Sequence, residues 1–170
     1  MLRLDAKSLT AILAVLLISG FSLGAQTTHA PEWTKLLADT TKVEAVLLSE
    51  DEQETIGKHQ IKERTEHRVV DQQTISKLEQ LFRSDDNWPG SMDDCIAIYG
   101  ARLIFTIKPK SENESNVLVL NICFRCGDIS ASQNGKNLGY DRFVDRHDLL
   151  EIFHNLFPND KQLLPDLVLR

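Results

Sequence analysis

The sequence predicts an α+β domain in which a mostly antiparallel sheet has helices packed on one face. Residues 71–82 and 145–156 repeat apolar side chains at steps of three and four, which is typical of amphipathic helices. Other apolar segments lie between clusters of polar turn formers, which is typical of strands. Because the strands do not alternate regularly with helices, an antiparallel sheet is favoured over a parallel one.

The start of the chain has the pattern of an export signal. Arg3 and Lys7 precede the uncharged apolar run 9–18, and small residues follow as far as Gly24. This pattern predicts a signal peptide that is cleaved after Gly24, or alternatively after Ala25. The alternative is an uncleaved membrane anchor, although such a segment needs about 20 predominantly apolar residues. No cysteine stands near the end of the segment to accept a lipid.

The rest of the chain is expected to be one domain preceded by a short tether. The boundaries are residues 1–24 for the signal peptide, 25–34 for the tether and 35–170 for the single α+β domain. Pro31 suits the first position of a helical turn. Trp33, Leu36 and Leu37 would give this turn an apolar face.

The first strands come next. Residues 43–48 are a run of mainly apolar residues that predicts a strand. Residues 57–70 alternate weakly and carry many charges, so they predict one or two solvated edge strands. His59 and His67 lie in this segment and are expected to be exposed.

A helix is expected to begin after Asp71, which is placed to cap it. Ile75, Leu78, Leu81 and Phe82 would line its buried face. Residues 84–91 are a concentration of turn formers, so a loop is expected to follow.

The centre of the sheet is predicted to be a hairpin. Its strands are residues 95–108, with an interruption at Gly100, and residues 117–126, and the loop between them is polar. Alternation along the second strand places one set of residues on the core face, together with a matching set on the first strand. These two sets are Leu118, Leu120, Ile122, Phe124 and Cys126, and Leu103, Phe105 and Ile107.

The last helix follows a turn at residues 133–136. Asp145 is expected to cap it, with Asp148 three residues further on. Its buried stripe is predicted to be Leu149, Ile152, Phe153 and Leu156, and Pro158 stands where the helix must end.

Three cysteines form the most unusual feature of the chain. Cys95, Cys123 and Cys126 would lie in an oxidising compartment after export, so a structural disulfide is one interpretation. Every pairing leaves one thiol over. A zinc site is another interpretation, because three thiolates and one histidine would complete a tetrahedral shell. The two remaining interpretations are a thiol-redox centre and thiols whose only role is packing.

Histidines and carboxylates give weaker signals. His147, Glu151 and His154 have the spacing of metal ligands on one helix face, but that face lies opposite the apolar stripe and is expected to meet water. The carboxylates at 50–52 and 93–94 are interpreted as solvated charge. The sequence lacks the nucleophile elbow, the zinc-protease motif and the glycine-rich phosphate loop, so no catalytic or cofactor-binding residue is assigned.

The charge balance bears on partners. The formal net charge is −6, and loss of residues 1–24 would remove Arg3, Lys7 and Asp5 and make it one unit more negative. Lys and Arg are scattered, so nucleic acid is disfavoured as a partner. An acidic surface suits a basic protein partner.

One pattern joins the helix and the cysteines: an Asp-led helix over 71–82, Cys95 opening one strand, and Ile122, Cys123, Phe124, Arg125 and Cys126 closing the next. It resembles a bacterial exported family of unknown function. In that family a Pro-Arg-His-like segment typically follows the first cysteine, whereas this chain has Tyr99, Gly100 and Ala101 there. The resemblance carries over only the three cysteines and implies no activity.

We therefore expect an exported, periplasmic or extracellular protein. It is expected to be a non-enzymatic binding or envelope-associated module with a protein partner and, after signal cleavage, no membrane contact. The alternative is a thiol-redox or metal-binding protein that uses Cys95, Cys123 and Cys126, with zinc as the metal.

Overall fold

The computed structural model describes residues 29–50, 61–89, 100–109, 116–161 and 163. Within these ranges the chain forms an α+β fold. In chain order the elements are a 3-10 helix (Glu32–Asp39), β1 (Thr40–Glu50), β2 (Ile61–Glu63), β3 (Arg68–Val69), α1 (Gln72–Arg83), a 3-10 turn (Asp85–Asn87), β4 (Ala101–Ile107), β5 (Val117–Ile122), β6 (Asp128–Gln133), β7 (Lys136–Arg142) and α2 (Arg146–Leu156).

The strands of the described ranges make one seven-stranded sheet. Its order is β2-β1-β4-β5-β6-β7, and β3 pairs with β1 as well. All of these pairings are antiparallel, which confirms the predicted sheet type. After β4 the strands follow one another as hairpins, so the last strand, β7, lies at an edge of the sheet.

One face of the sheet carries the hydrophobic core. Buried residues alternate with partly exposed ones along β4 and β5, as the period of a strand requires. The core residues of these two strands are Ala101, Leu103, Phe105, Ile107, Leu118, Leu120 and Ile122. This confirms the predicted core face of the central hairpin up to Ile122.

The helices cover this core face. Ile75, Leu78 and Phe82 of α1 are buried, and so are Leu149, Leu150, Ile152 and Phe153 of α2. Rings from distant parts of the chain meet in the core, with Trp33 and Trp88 centred 5.4 Å apart. The ring of Phe143 lies 5.2 Å from that of Trp88. The prediction of helices packed on one face is therefore confirmed.

Both helices begin where the sequence predicts. Asp71 caps α1, because its Oδ1 atom accepts the Thr74 N–H at 2.9 Å. Hydrogen bonds from the Thr74 amide and hydroxyl hold the pKa of Asp71 below its usual value. Asp145 caps α2 in the same way, with the Asp148 N–H 3.4 Å from its Oδ1 atom.

The other face of the sheet carries a row of hydrogen-bonded polar side chains. The Arg102 guanidinium donates through Nε to Asn121 and through Nη1 to Glu63, each at 2.8 Å. His67 Nε2 lies 3.0 Å from the Glu63 carboxylate. The hydrogen bond with His67, helped by the charge of Arg102, holds the pKa of Glu63 below its usual range. This row therefore joins β2 and the segment before β3 to the central strands.

One expectation about the end of the central hairpin is wrong, and one further hairpin was not predicted. β5 ends at Ile122, so the strand does not continue to Cys126, and residues 124–126 form a turn. Residues 128–142 form the further hairpin β6–β7, of which only the connecting turn was expected. The physical reason is that Gly127 has a φ of 79°, which breaks the extended conformation and reverses the chain.

Several expectations fall on residues outside the described ranges. They include the signal peptide at 1–24, the first part of the 57–70 segment, the carboxylates at 51–52 and 93–94, His59, and Cys95 with the start of its strand. The described 3-10 helix begins at Glu32, before the expected end of the tether at residue 34.

Candidate functional site

A tight turn between β5 and β6 brings Cys123 and Cys126 together. The Gly127 N–H donates to the Cys123 carbonyl, and the Cys123 N–H donates to the Asp128 carbonyl, both at 2.8 Å. Inside the turn, the Cys126 N–H donates to the Cys123 sulfur at 3.3 Å. The cysteine pair is therefore held by the backbone of a hairpin.

Both cysteines of this turn are buried, and Cys123 is a free cysteine. The third candidate, Cys95, lies outside the described residues. The structure thus brings two of the three predicted site residues together, and the three-cysteine cluster stays a prediction.

The histidine face of α2 is only partly as expected. His147 and Glu151 are exposed, whereas His154 is half-buried, and its Nδ1 atom is buried without a hydrogen-bond partner in the described part of the chain. Lys77 of α1 lies 3.7 Å from the Glu151 carboxylate. Among the described residues, no group of three or more His, Cys, Asp or Glu side chains is arranged to hold a metal.

The cysteine turn also fixes the end of β7. The Phe143 N–H donates to the Gly127 carbonyl at 2.8 Å, and the Arg146 guanidinium donates to the Arg125 carbonyl at 2.7 Å. The next amide, that of Val144, donates to the Asn87 carbonyl at 3.0 Å. The turn therefore sets where β7 ends and where α2 begins.

Exposed apolar side chains are concentrated on and just after β7. In the described part of the chain, four large hydrophobic residues are exposed, and three of them are Leu138, Tyr140 and Val144. The Tyr140 residue is 55% exposed. Leu138, Tyr140 and Val144 are named here the β7 surface. These three residues lie within seven positions of the sequence. Exposed apolar patches are typical of interaction sites, whereas single exposed apolar residues are common everywhere.

The β6–β7 hairpin owes its shape to its turn and to a bulge. Asn134 and Gly135 have φ values of 50° and 79°, the left-handed pair that a two-residue hairpin turn requires. The pairing register shifts between Ala131 and Ser132, so Leu138 is an extra residue in β7. A bulge re-aims a side chain and blunts an edge against unspecific strand pairing.

A cavity of about 470 Å³ lies between the 3-10 helix and β7. It is lined by Pro31, Glu32, Trp33, Leu36, Gln133, Leu138 and Asp141. We name it the β7 cavity. The two charged residues in this lining are both acidic, and most of its other lining is apolar. It therefore combines apolar walls with negative charge beside the β7 surface.

Asp141 is the fixed acidic group of the β7 cavity. The Trp33 indole N–H donates to its Oδ2 atom at 3.0 Å. Glu32 is instead exposed and forms an ion pair with Lys35 at 2.7 Å. The Gln133 amide donates to Asn116 at 2.7 Å, which leaves the carbonyl oxygen of its side chain as an acceptor.

Sequence reasoning assigned no role to the β7 surface or to the β7 cavity. The one local signal was the pair Asn134 and Gly135, which favours a two-residue hairpin. The strand Lys136–Arg142 itself contains few apolar residues, and Gly139 interrupts its alternation. The cavity joins residues that are about 100 positions apart in the sequence, so only the tertiary structure could reveal it.

Comparisons with known proteins do not extend this description. No protein-family model, curated protein or solved structure matches the chain. Among the described helices, none has the length and apolar character needed to cross a bilayer. The resemblance based on the cysteine pattern stays a prediction.

Proposed function

We propose that this protein is an exported, non-enzymatic module that binds a basic protein partner through the β7 surface. The observation that carries the proposal is that three of the four large hydrophobic residues exposed in the described part of the chain, Leu138, Tyr140 and Val144, lie within seven positions on and just after the edge strand β7. Tyrosine is enriched among the residues that dominate binding energy at protein interfaces.

The charge of the chain supports a basic partner. The formal net charge is −6, and the cavity beside the β7 surface is lined by Glu32 and Asp141. Complementary charge raises the rate of encounter and favours correct partners over wrong ones. An acidic rim beside exposed apolar residues is therefore suited to the surface of a cationic protein.

The rigidity of the β7 surface supports binding as well. Tyr140 pairs with Ser130 of β6, and the Val144 N–H donates to the Asn87 carbonyl at 3.0 Å, so the backbone of both residues is held. A surface that is already ordered loses less conformational entropy when a partner binds.

The test of this function is retention of a partner from an envelope extract of the host on the immobilised mature protein. We expect one basic protein to be retained at low ionic strength and released as salt screens the charges. The matched control is the double variant Leu138→Ser/Tyr140→Ser, which should retain less of it. Absence of a partner, or retention that salt leaves unchanged, would contradict the proposal.

Export is a separate part of the proposal, and it is supported by the pattern of Arg3, Lys7 and the apolar run 9–18. Cell fractionation followed by mass determination of the mature protein tests it. We expect a periplasmic or secreted chain that begins after Gly24. A chain found in the cytoplasm with its first residues intact would contradict export.

A second candidate function uses the cysteines for redox or zinc chemistry. The observation that favours it is a free Cys123 whose sulfur accepts the N–H of Cys126 three positions away. Against it stands the complete burial of Cys123.

Two measurements distinguish a structural disulfide from redox or zinc chemistry. They are metal analysis of the protein, and alkylation of the unfolded protein without reductant followed by intact-mass determination. One modified thiol and no zinc would support a structural disulfide. One equivalent of zinc bound to the folded protein would support the second candidate, whereas three modified thiols without zinc would indicate thiols that only pack.

A further inference from the structure

We propose that the β7 cavity binds an arginine side chain of the protein partner, with Asp141 as the residue that recognises the guanidinium. This inference rests on the proposed function and names the group of the partner that the site takes. It is carried by three observations: the volume and apolar lining of the cavity, the charges in that lining, and the hydrogen bonds that hold two acceptor groups in place.

The volume and walls of the β7 cavity suit the long stem of a basic side chain. Its volume is about 470 Å³, and Pro31, Leu36 and Leu138 supply apolar surface. Arginine buries three methylene groups along apolar surface while its head stays with polar groups. Leu138 belongs to both the cavity and the β7 surface, so a partner on that surface can reach the cavity.

The charges in the lining select a cation. Glu32 and Asp141 are the charged residues of the lining, and both are acidic. The cationic group beside them, Lys35, is paired with Glu32 at 2.7 Å. Among the described residues no cation forms an ion pair with Asp141, so within this part of the chain its charge is available to a ligand, and an anionic ligand would be repelled.

Two acceptor groups of the lining are already oriented. The Trp33 indole N–H holds Oδ2 of Asp141, and each carboxylate oxygen has further lone pairs for other donors. The Gln133 side-chain amide donates a hydrogen bond to Asn116 Oδ1. The side-chain oxygen of Gln133 is therefore available as an acceptor. A planar guanidinium with five N–H donors matches acceptors that are fixed in this way better than an ammonium does.

The indole N–H signals of the two tryptophans provide the test. Trp33 donates to Asp141 at the cavity, whereas Trp88 donates to the Phe82 carbonyl in the core. We would titrate the full mature chain with N-acetyl-L-arginine amide and follow both signals by NMR. The Trp33 signal should shift to saturation, and the Trp88 signal should stay in place.

Two controls make the result specific. N-acetyl-L-citrulline amide has nearly the same shape without the charge and should bind about tenfold more weakly or worse, because charge-assisted hydrogen bonds are the strong ones. Asp141→Asn keeps an acceptor for the Trp33 indole but loses the charge, so it should lose binding of the arginine probe. Glu66→Gln removes one charge from an exposed residue elsewhere and should leave binding unchanged.

The inference is overturned if the Trp33 signal does not shift, if citrulline shifts it equally, or if Asp141→Asn binds the probe as well as the unchanged chain does. Its failure can be told from failure of the proposed function by the partner itself. If Leu138→Ser/Tyr140→Ser loses the partner while Asp141→Asn retains it fully, the β7 surface binds without an arginine in the cavity.

Discussion

The indole N–H of Trp33 donates to the Asp141 carboxylate at 3.0 Å and joins two residues that lie 108 positions apart in the chain. Trp33 itself packs edge-on against Trp88 and Phe82 in the core. The bond therefore attaches the last strand of the sheet to the first helical element. It also places a carboxylate at the wall of the β7 cavity.

The β7 surface is expected to supply most of the binding energy. Leu138→Ser/Tyr140→Ser should weaken partner binding about tenfold or more, since a few central aromatic and apolar residues dominate interfaces. Both side chains are exposed, so the free energy of unfolding should change by only about 0.5 kcal/mol. Titration calorimetry and urea unfolding measure the two quantities. Val69→Ser is the matched control, because Val69 is the remaining exposed large hydrophobic residue of the described ranges and lies on β3. Equal weakening of binding by this variant would contradict the assignment.

Gly127 is expected to be the least replaceable glycine of the described chain. A Cβ atom there would lie 2.5 Å from the Phe143 carbonyl oxygen, and the φ of 79° is strained for other residues. Gly135 has the same φ but open space around it. Gly135→Ala should therefore lower the free energy of unfolding only by the backbone strain of a positive φ, about 1 kcal/mol. Gly127→Ala should cost several times more, as measured by urea unfolding. Equal losses for the two variants would show that the contact with Phe143 is unimportant.

Removal of the Cys123 sulfur is expected to loosen the β5–β6 turn. In Cys123→Ala the Cys126 N–H loses its acceptor inside a buried turn, and a small cavity forms. The expected loss is about 1–3 kcal/mol in the free energy of unfolding. Hydrogen exchange of the Cys126 amide should accelerate at the same time. An unchanged exchange rate at that amide would contradict the role assigned to the sulfur.

The pH dependence of stability is expected to depend on Glu63. Its pKa is lowered in the folded state by His67 and Arg102, so its ionised form stabilises the fold above the pKa of the unfolded chain. This contribution disappears as the pH falls through the lowered pKa. Glu63→Gln should therefore be less stable than the unchanged chain near neutral pH, and the difference should vanish in acid. Urea titrations across the acid range measure it, and because the site is partly exposed, the difference should shrink in high salt.

A control for that titration is Glu66→Gln, which changes the same charge at an exposed residue of the same segment. The free energy of unfolding of Glu66→Gln should depend on pH in the same way as that of the unchanged chain. If both variants behave alike, the effect arises from net charge and not from the contacts of Glu63 with His67 and Arg102.

Local patterns were sufficient to predict much of the fold. The caps Asp71 and Asp145 and the apolar stripes of α1 and α2 depend on neighbours within one turn, so they can be read directly from the sequence. The alternation in β4 and β5 likewise follows from strand geometry. The error at Cys123–Cys126 arose because an apolar pattern does not show that Gly127 adopts a positive φ.

The candidate site was beyond sequence reasoning for a different reason. Trp33 and Asp141 meet only because the 3-10 helix and the edge strand are brought together by the tertiary fold. The bulge at Leu138 depends on register with β6 and not on a local motif. Exposure of Tyr140 is also a property of its place at the edge, since tyrosine by itself favours neither face.

The most direct measurement of the central claim is site-specific photocrosslinking in an envelope extract of the host. A benzophenone amino acid would replace Tyr140 in one chain and Val69 in another, and mass spectrometry would identify the adducts. The account predicts a single adduct to a basic protein from position 140, lost on Leu138→Ser, and no such adduct from position 69. The same adducts from both positions, or an adduct only from position 69, would contradict the assignment of the β7 surface as the binding site.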